Sequence, residues 1–293
     1  MVKGHRPTLD TMTTRICVLG SVNSDTVLTV GTLPKPGETV PATAVLHTAG
    51  GKGANQAVAA ARAGGRVRFI GAVGDDDAGV ALRGHLAAND VDTADVATVP
   101  GPSGSAVITV DAAGENTIVV AAGANAALAP GPELLRTALA DADVLLLQLE
   151  IPLPAAIAGA RAARAAGVIV MLNASPAGVA VAELAALVDV VVLNKGEAAH
   201  WAWPVAHRVI TLGARGARYL GGGREFTVPA VTVTPVDTSG AGDVFAGVLA
   251  ACWPDGPEAA MRRACAAGAL ATLTPGAGDC APSAAQIDAA LSP

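Results

Sequence analysis

The sequence is poor in aromatic residues and in charge, and no cluster of basic residues stands out. Aromatic residues make up 2% and charged residues 15% of the 293 positions, with 25 acidic against 19 basic residues. A nucleic-acid surface needs basic patches and stacking aromatic side chains, so nucleic acid is not an expected partner. The cysteines Cys17, Cys252, Cys265 and Cys280 form no C-x-x-C pair, which argues against a disulfide framework or a structural zinc site.

The sequence also lacks an apolar run long enough to cross a membrane. Acidic residues bound the run DVLLLQLEIPL or interrupt it, well short of the roughly 20 apolar residues that a spanning helix needs. Residues 1–14 lack the apolar core of a signal peptide and predict a flexible N-terminal tail, with Met12 as an alternative start. We therefore expect a cytoplasmic protein with no membrane partner. The apolar fraction of 52% suffices for the core of one large domain over residues 15–293.

Short apolar runs alternate with alanine-rich helical stretches along the chain. Strands are predicted at 15–20, 67–74, 168–173, 189–194 and 208–213. Helices are predicted at 53–64, 77–90, about 180–187, 241–252, 257–273 and 284–291. Such alternation indicates an α/β fold whose mostly parallel sheet is covered by helices on both faces.

Two segments break this alternation. Residues 24–48 and 104–121 alternate apolar and polar side chains, and the second contains a D-x-x-G-E-N turn. Both predict antiparallel strands that are exposed on one face. We expect them to form a small β-sheet growing out of the domain, which would cover a site or form a dimer interface.

The common nucleotide-binding signatures are missing. Gly51-Lys52 is followed by Gly53, where a P-loop needs Ser or Thr, and no G-x-G-x-x-G follows the first strand. Three other polar clusters are therefore the candidates for a functional site.

The first cluster is GSVNSD, which follows the first strand. Asn23 and Asp25 lie at the carboxyl end of that strand, where open α/β sheets bind ligands. An amide beside a carboxylate suits sugar hydroxyls; a simple Asx-turn is the alternative.

The second cluster is AGGKGANQA, in which Gly51, Lys52 and Asn55 open a helix. Glycines at a helix start let a ligand approach the backbone closely. The alternative is a glycine-rich helix cap with Lys52 in solvent.

The third cluster is DTSGAGDV. Gly240, Ala241 and Gly242 begin a helix whose free N–H groups would form an anion hole, with Asp243 beside it as a candidate base. Asp237 ends the preceding strand and suits a cap or a cation ligand. The alternative is a capped helix without chemistry.

Taken together, these motifs resemble the ribokinase branch of the PfkB-type carbohydrate kinases. The resemblance extends from Arg15 to about Leu291 and includes GSVNSD, GGKGANQAVAAARAGG, AGANAAL, LLLQLEIPL, ITLGARG and DTSGAGDVFAG in one order. It implies a three-layer α/β/α sandwich with a β-sheet lid. The implied reaction is ATP-dependent phosphorylation of the 5-hydroxyl of D-ribose, with Asp243 as base. A kinase for another sugar or a nucleoside, and a non-catalytic sugar-binding derivative, are the alternatives.

The resemblance also implies roles for individual residues. The sugar would be bound by Asn23, Asp25, Gly51, Lys52, Asn55, Glu150 and Asp243. ATP and Mg²⁺ would be bound by Asn194, Glu197, Thr211, Leu212, Gly213, Ala214, Arg215, Gly216, Gly242, Asp243 and Cys265. A monovalent cation, K⁺, would be held by Asp237, Ser239, Ala271, Thr274, Gly276 and Cys280. Two lids would pair in a homodimer.

Three features depart from the family pattern. The segment between Glu197 and Thr211 is short, which predicts that at least one helix is missing on the nucleotide side. Lys195-Gly196 stand where the pattern is more acidic. Cys280 replaces the common Ser of the cation loop, and a thiol is a poor ligand for a hard cation.

Overall fold

A computed structural model of the chain describes residues 13–179 and 181–292, so the predicted tail lies almost entirely outside the described residues. The strands in these ranges are β1 (Arg15–Leu19), β2 (Asn23–Val30), β3 (Ala42–Gly50), β4 (Arg66–Gly74), β5 (Val91–Asp92), β6 (Val96–Val99), β7 (Gly104–Val110), β8 (Asn116–Ala121), β9 (Val144–Leu147), β10 (Ile169–Asn173), β11 (Val190–Asn194), β12 (His207–Thr211), β13 (Ala217–Gly221) and β14 (Arg224–Val228). The α-helices are α1 (Lys52–Arg62), α2 (Asp77–Ala88), α3 (Pro132–Leu139), α4 (Leu153–Ala165), α5 (Ala182–Ala185), α6 (Lys195–His200), α7 (Ala241–Cys252), α8 (Pro257–Ala271) and α9 (Ala284–Leu291).

The main sheet follows the order β14-β13-β12-β11-β10-β9-β1-β4-β5, and β6 also pairs with β4. Its strands are parallel from β12 to β5, whereas β13 and β14 add an antiparallel hairpin at one edge. Because the parallel strands run the same way, the residues that follow β1, β9, β10 and β11 meet at one edge of the sheet.

Alternating side chains of the central strands enter two different cores. Ile16 and Val18 of β1 lie in a core with α1, α2, α7, α8 and α9. Cys17 and Leu19 lie in a second core with α3, α4 and α5. Since successive residues of a strand point to opposite faces, helices cover both faces of the sheet. The predicted three-layer α/β/α arrangement is confirmed.

The two segments with alternating polarity form the predicted small sheet, in the order β3-β2-β7-β8. The pairs β2–β3 and β7–β8 are antiparallel, while β2 and β7 run parallel. Leu46, Val27, Ile108 and Ile118 stand opposite one another across all four strands. Leu46 and Ile118 are 54% and 56% exposed, so both ends of this row of apolar side chains are open to solvent. We call it the apolar row.

The structure differs from the sequence-based expectations in three places. Residues 231–236, the strand that Asp237 was predicted to end, lie in the irregular connection between β14 and α7. The β13–β14 hairpin was not predicted, because its strands are short and its outer positions carry Arg218, Arg224 and Glu225. The predicted helix around 180–187 is only the four-residue α5. Between β11 and β12 the connection holds α6, of six residues, and a turn in which the Trp201 indole donates to the Trp203 carbonyl over 2.8 Å. Within the described ranges, none of the helices has the length and apolar character that a membrane span requires.

Candidate active site

The N-terminus of α7 provides the candidate anion hole. Gly240 caps the helix with φ 74°, in the left-handed region, and a Cβ at this position would lie 2.7 Å from the Cα of Ala277. Only glycine fits this geometry without strain. The backbone N–H groups of Gly242 and Asp243 belong to the first turn and have no partner within the helix. They and the helix dipole favour an anion at this point.

Asp243 lies just inside the same turn and is 8% exposed. The Asn55 amide donates to its Oδ2 over 3.1 Å, and the Gln56 amide donates to its Oδ1 over 2.9 Å. Both donors come from α1, which packs against α7. The carboxylate is therefore oriented by two amides from a neighbouring helix.

The polar side chains of β2 lie at the carboxyl edge of the main sheet. Asn23 and Asp25 are 4% and 7% exposed. The Asn125 amide donates to Asn23 Oδ1 over 2.8 Å and exchanges hydrogen bonds with the backbone of Val22. Burial, and next the negative charge of Glu150, raise the pKa of Asp25 to about 6. Asp25 Oδ1 has no hydrogen-bond partner among the described residues, so this pocket contains an unused acceptor.

The start of α1 lies beside this pocket. Gly51 precedes the helix with φ 86°, and a Cβ there would lie 2.8 Å from the Cα of Val22. The carboxylate of Glu150 accepts from the Lys52 backbone N–H over 3.0 Å and from the Ser21 hydroxyl over 2.6 Å, both at Oε2. The charge of Asp243, and further that of Glu150, hold the pKa of Lys52 above its usual value against the opposing effect of burial. Lys52 is thus a cation between two carboxylates.

A cleft of about 370 Å³ opens on the other side of the α7 N-terminus. Of the residues predicted to bind the nucleotide, those that line it are Thr211, Gly213, Ala214, Gly216, Gly242 and Cys265. Leu212 and Arg215, which were also predicted, are not among its lining residues, and Arg215 is exposed. The cleft is also lined by residues outside the predicted set, among them Val231, Val233, Phe245, Gly268 and Thr272. Burial raises the pKa of the Cys265 thiol to about 12, which favours the neutral thiol in the wall of the cleft.

Asn194 and Glu197 cap α6 reciprocally at the carboxyl end of β11. The Glu197 backbone N–H donates to Asn194 Oδ1 over 2.8 Å, and the Asn194 N–H donates to Glu197 Oε2 over 2.7 Å. This leaves Glu197 Oε1 as an acceptor. Within the ranges that the structure describes, no cluster of three or more His, Cys, Asp or Glu side chains is arranged to hold a metal. A divalent ion here would therefore need phosphate oxygens as additional ligands, which is the usual mode of Mg²⁺.

The structure brings four of the six predicted cation-loop residues together by hydrogen bonds. Asp237 accepts from the Ser239 and Gly276 N–H groups, each over 2.8 Å, and the Cys280 thiol lies 3.8 Å from the Ser239 carbonyl. The other two, Ala271 and Thr274, form the turn that ends α8, where the Thr274 N–H donates to the Ala271 carbonyl. The loop offers one carboxylate and several carbonyls to a hard cation, but it has a thiol at one position.

Several polar residues of the site were not named from the sequence. They are Ser21, Gln56, Asn125, Gln148 and Asn173, four of which are less than 3% exposed and all less than 9%. Ser21, Gln56, Asn125 and Gln148 lie within the motifs quoted above, Gln148 as the polar residue inside the apolar run LLLQLEIPL. The signal for Asn173 was a polar residue at the end of the apolar run VIVMLN.

Comparison with known proteins gives one consistent result. Residues 13–284 match the model of a protein family described as "pfkB family carbohydrate kinase". The ribokinase of Bacillus subtilis is 36% identical, with 94% of this chain and 99% of the relative covered. The deoxyribokinase of Salmonella typhi is 34% identical, with 94% and 98% covered. The structure of Arabidopsis thaliana ribokinase complexed with ribose and ATP superposes with a TM-score of 0.88 at 29% identity, covering 96% of this chain and 99% of the other.

Proposed function

The chain belongs to the pfkB family of carbohydrate kinases, and we propose that it transfers the γ-phosphate of ATP to the 5-hydroxyl of D-ribose. The observation that carries this proposal is the position of the α7 N-terminus between two compartments. Gly242 lines the cleft of about 370 Å³. Asp243, the next residue, contacts Asn55 on the side of Asn23 and Asp25. The consecutive residues Gly242 and Asp243 thus lie between an anion site and a polar pocket suited to hydroxyl groups.

In the proposed reaction, the γ-phosphate lies in the anion hole formed by Gly240, Ala241 and Gly242, where the N–H groups of Gly242 and Asp243 have no partner within the helix. Asp243 accepts the proton of the sugar hydroxyl as the new O–P bond forms, and ADP leaves with the electrons of the broken P–O bond. The transition state of phosphoryl transfer is loose, so a well-placed carboxylate that accepts the proton late is sufficient. The anion hole stabilises the charge on the transferring group.

The sugar is held by five polar side chains and by the backbone of Gly51. Asn23, Asp25, Gly51, Lys52, Asn55 and Glu150 supply donors and acceptors around one pocket. The Asp25 carboxylate, whose Oδ1 has no hydrogen-bond partner among the described residues, accepts a sugar hydroxyl. The nucleotide lies along the cleft, with Thr211, Gly213, Ala214, Gly216 and Cys265 on its walls and Leu212 and Arg215 at its rim. Because the reaction consumes ATP, the proposed place of action is the cytoplasm.

Two ions belong to this proposal. Glu197, beside Asn194, would hold Mg²⁺ together with the phosphates of ATP, and the ion would neutralise charge on those phosphates. K⁺ lies in the loop of Asp237, Ser239, Ala271, Thr274, Gly276 and Cys280. Its test is turnover in K⁺ against Na⁺ at equal ionic strength, for the wild type and for Cys280→Ser. We expect K⁺ to activate both, and the Ser variant at lower concentration because a hydroxyl is a harder ligand. Equal rates in the two salts would remove K⁺ from the proposal.

The small sheet is proposed as a lid and as the interface of a homodimer. The apolar row lies on the same face as Asn23 and Asp25, because residues two positions apart along a strand share a face. Its exposed side chains would be covered by the lid of a second subunit. Closure over the sugar would exclude water, so that phosphate is transferred to sugar and not to water.

A substrate panel tests the proposed function. We expect phosphorylation of D-ribose with ATP and Mg²⁺, and lower kcat/KM for 2-deoxyribose, fructose and adenosine. A relative that is a deoxyribokinase is nearly as similar as the ribokinase, so deoxyribose is the sharpest comparison. A higher kcat/KM for any other substrate would replace D-ribose in the proposal, and sugar binding without turnover would indicate a non-catalytic derivative.

A further inference from the structure

A chain of buried amides ends on Asp243. The Gln148 amide donates to Gln56 Oε1 over 2.7 Å. Gln56 Nε2 donates one hydrogen to Asp243 Oδ1 over 2.9 Å and the other to Asn173 Oδ1 over 3.1 Å. Gln56 and Gln148 are completely buried. The chain joins the ends of β9 and β10 to the helices α1 and α7, and neither glutamine was among the predicted site residues.

The direction of these hydrogen bonds is fixed from one end. Asn173 Nδ2 donates to the Val192 carbonyl over 3.3 Å, and a carbonyl only accepts. Asn173 must therefore present its oxygen to Gln56, and Gln56 must present its amino group to Asn173. That same amino group then faces Asp243, whose carboxylate also only accepts. The Gln56 side chain is thus held with its donors toward the carboxylate.

At the other end of these hydrogen-bonded amides, Gln148 keeps the same direction although one of its own polar atoms stays unpaired. Gln148 Oε1 is buried and has no hydrogen-bond partner within the described part of the chain. Reversing the Gln148 amide would put its oxygen against Gln56 Oε1, so two acceptors would meet. The observed orientation leaves one acceptor unsatisfied, which is unfavourable in a protein interior, and in exchange fixes Gln56.

We infer that Gln56 is a positioning residue for Asp243 and that Gln148 acts on Asp243 only through Gln56. Oδ1 accepts from the completely buried Gln56 amide, whereas Oδ2 accepts from Asn55, a residue proposed to bind the sugar, so we assign the proton of the substrate hydroxyl to Oδ2. This inference rests on the proposed function. It assigns Gln56 an effect on turnover and little effect on sugar binding.

The test compares Gln56→Met, Gln148→Met and the double variant, with Gln286→Met as the matched control. Gln286 lies on α9, outside the candidate active site, where it caps its own helix. Methionine keeps the length of glutamine and removes the hydrogen bonds. Turnover with D-ribose and ATP gives kcat, calorimetric titration gives the sugar Kd, and thermal unfolding shows that each protein is folded.

We expect Gln56→Met to lower kcat by about ten-fold or more, as misplaced catalytic groups do, with the sugar Kd changed by less than about three-fold. Gln148→Met should lower kcat less than Gln56→Met does. The kcat of the double variant should equal that of Gln56→Met, because the effects of residues in one hydrogen-bonded network are not additive. Gln286→Met should keep the wild-type kcat.

Three results would overturn the inference: an unchanged kcat in folded Gln56→Met, losses that multiply in the double variant, or a kcat loss matched by an equal loss of sugar binding. If Gln56→Met does not fold, an unchanged kcat in Gln148→Met would have the same force. An inactive wild type would instead overturn the proposed function on which the inference rests.

Discussion

The side-chain amide of Asn125 donates to the side-chain oxygen of Asn23 over 2.8 Å, inside the protein. This bond occupies the oxygen of Asn23 and leaves its amino group to face the pocket. Asn23 is therefore prepared as a donor, whereas the neighbouring Asp25 is an acceptor. A pocket with one fixed donor beside one acceptor matches the paired hydroxyls of a sugar.

Asn125→Asp should raise the KM for the sugar by about ten-fold or more, the usual effect of mispairing a buried polar group. An aspartate accepts where the asparagine donated, so the Asn23 amide would turn to satisfy it and present its oxygen to the sugar. Steady-state kinetics at saturating ATP measures the change. Asn116→Asp, at the exposed first residue of β8, is the control, and an equal KM in the two variants would contradict the role of Asn125.

Asp243→Asn should lower kcat by about 10²- to 10⁴-fold, the range for a lost general base. The amide retains one acceptor oxygen for Asn55 or Gln56, so sugar binding should change little. Turnover and calorimetric titration of the same protein separate the two effects. An unchanged kcat would remove Asp243 from the proposed reaction.

Gly240→Ala should destabilise the protein and reduce turnover. A non-glycine residue in the left-handed region costs about 1–2 kcal/mol, and its Cβ would press on Ala277 at 2.7 Å. Thermal unfolding should show a clear fall in Tm. Gly242→Ala is the contrast: its Cβ meets nothing within 4 Å, so Tm should hold while the added methyl group raises the KM for ATP. Equal Tm losses in both would contradict the difference between the two glycines.

The KM for the sugar should rise as the pH falls below about 6. The pKa of Asp25 is raised to about 6 by burial and by Glu150. Protonation removes the acceptor that the sugar hydroxyl needs, so binding is strong above this pH and weakens below it. The measurement is KM against pH, with Asp25→Asn as the control, whose KM should be high and flat. A flat profile in the wild type would show that Asp25 does not contact the sugar.

Leu46→Lys and Ile118→Lys should convert the proposed dimer into monomers, because each puts a charge at one exposed end of the apolar row. Light scattering after size-exclusion chromatography gives the mass. Val80→Lys, at an isolated position on α2 that is 75% exposed, should leave the dimer intact. A monomeric wild type would contradict the proposed interface.

The sequence predicted those parts of the fold whose signal is local. The buried strands β1, β4, β10 and β11 are continuous apolar runs, and α1, α7 and α8 are long alanine-rich helices, so all were found close to their observed bounds. The β13–β14 hairpin was missed because its outward residues are charged. Its Gly222-Gly223 turn, with φ 56° and 72°, was the available signal.

In the candidate site, too, the sequence predicted the contacts within one motif and not those between distant segments. Asp243 and the glycines of α7 lie in one motif, so their proximity follows from helix geometry. The contacts of Gln56 with Gln148 and Asn173 depend instead on how α1 lies over the ends of β9 and β10, residues 92 and 117 positions away. No local pattern specifies such a register. The same holds for Asn125, which reaches Asn23 across 102 positions.

Asp25, whose Oδ1 has no hydrogen-bond partner among the described residues, is favoured in different protonation states in the empty and in the sugar-bound protein. Its raised pKa means that the fold alone favours the neutral acid: that stabilisation is complete at low pH and is lost as the pH rises through about 6. A bound sugar favours the carboxylate. Near neutral pH the empty protein therefore holds a charge that its own fold disfavours, and the ligand relieves this cost. A replacement that stabilised the empty protein at this position would weaken sugar binding, so stability and affinity cannot both be optimised at Asp25.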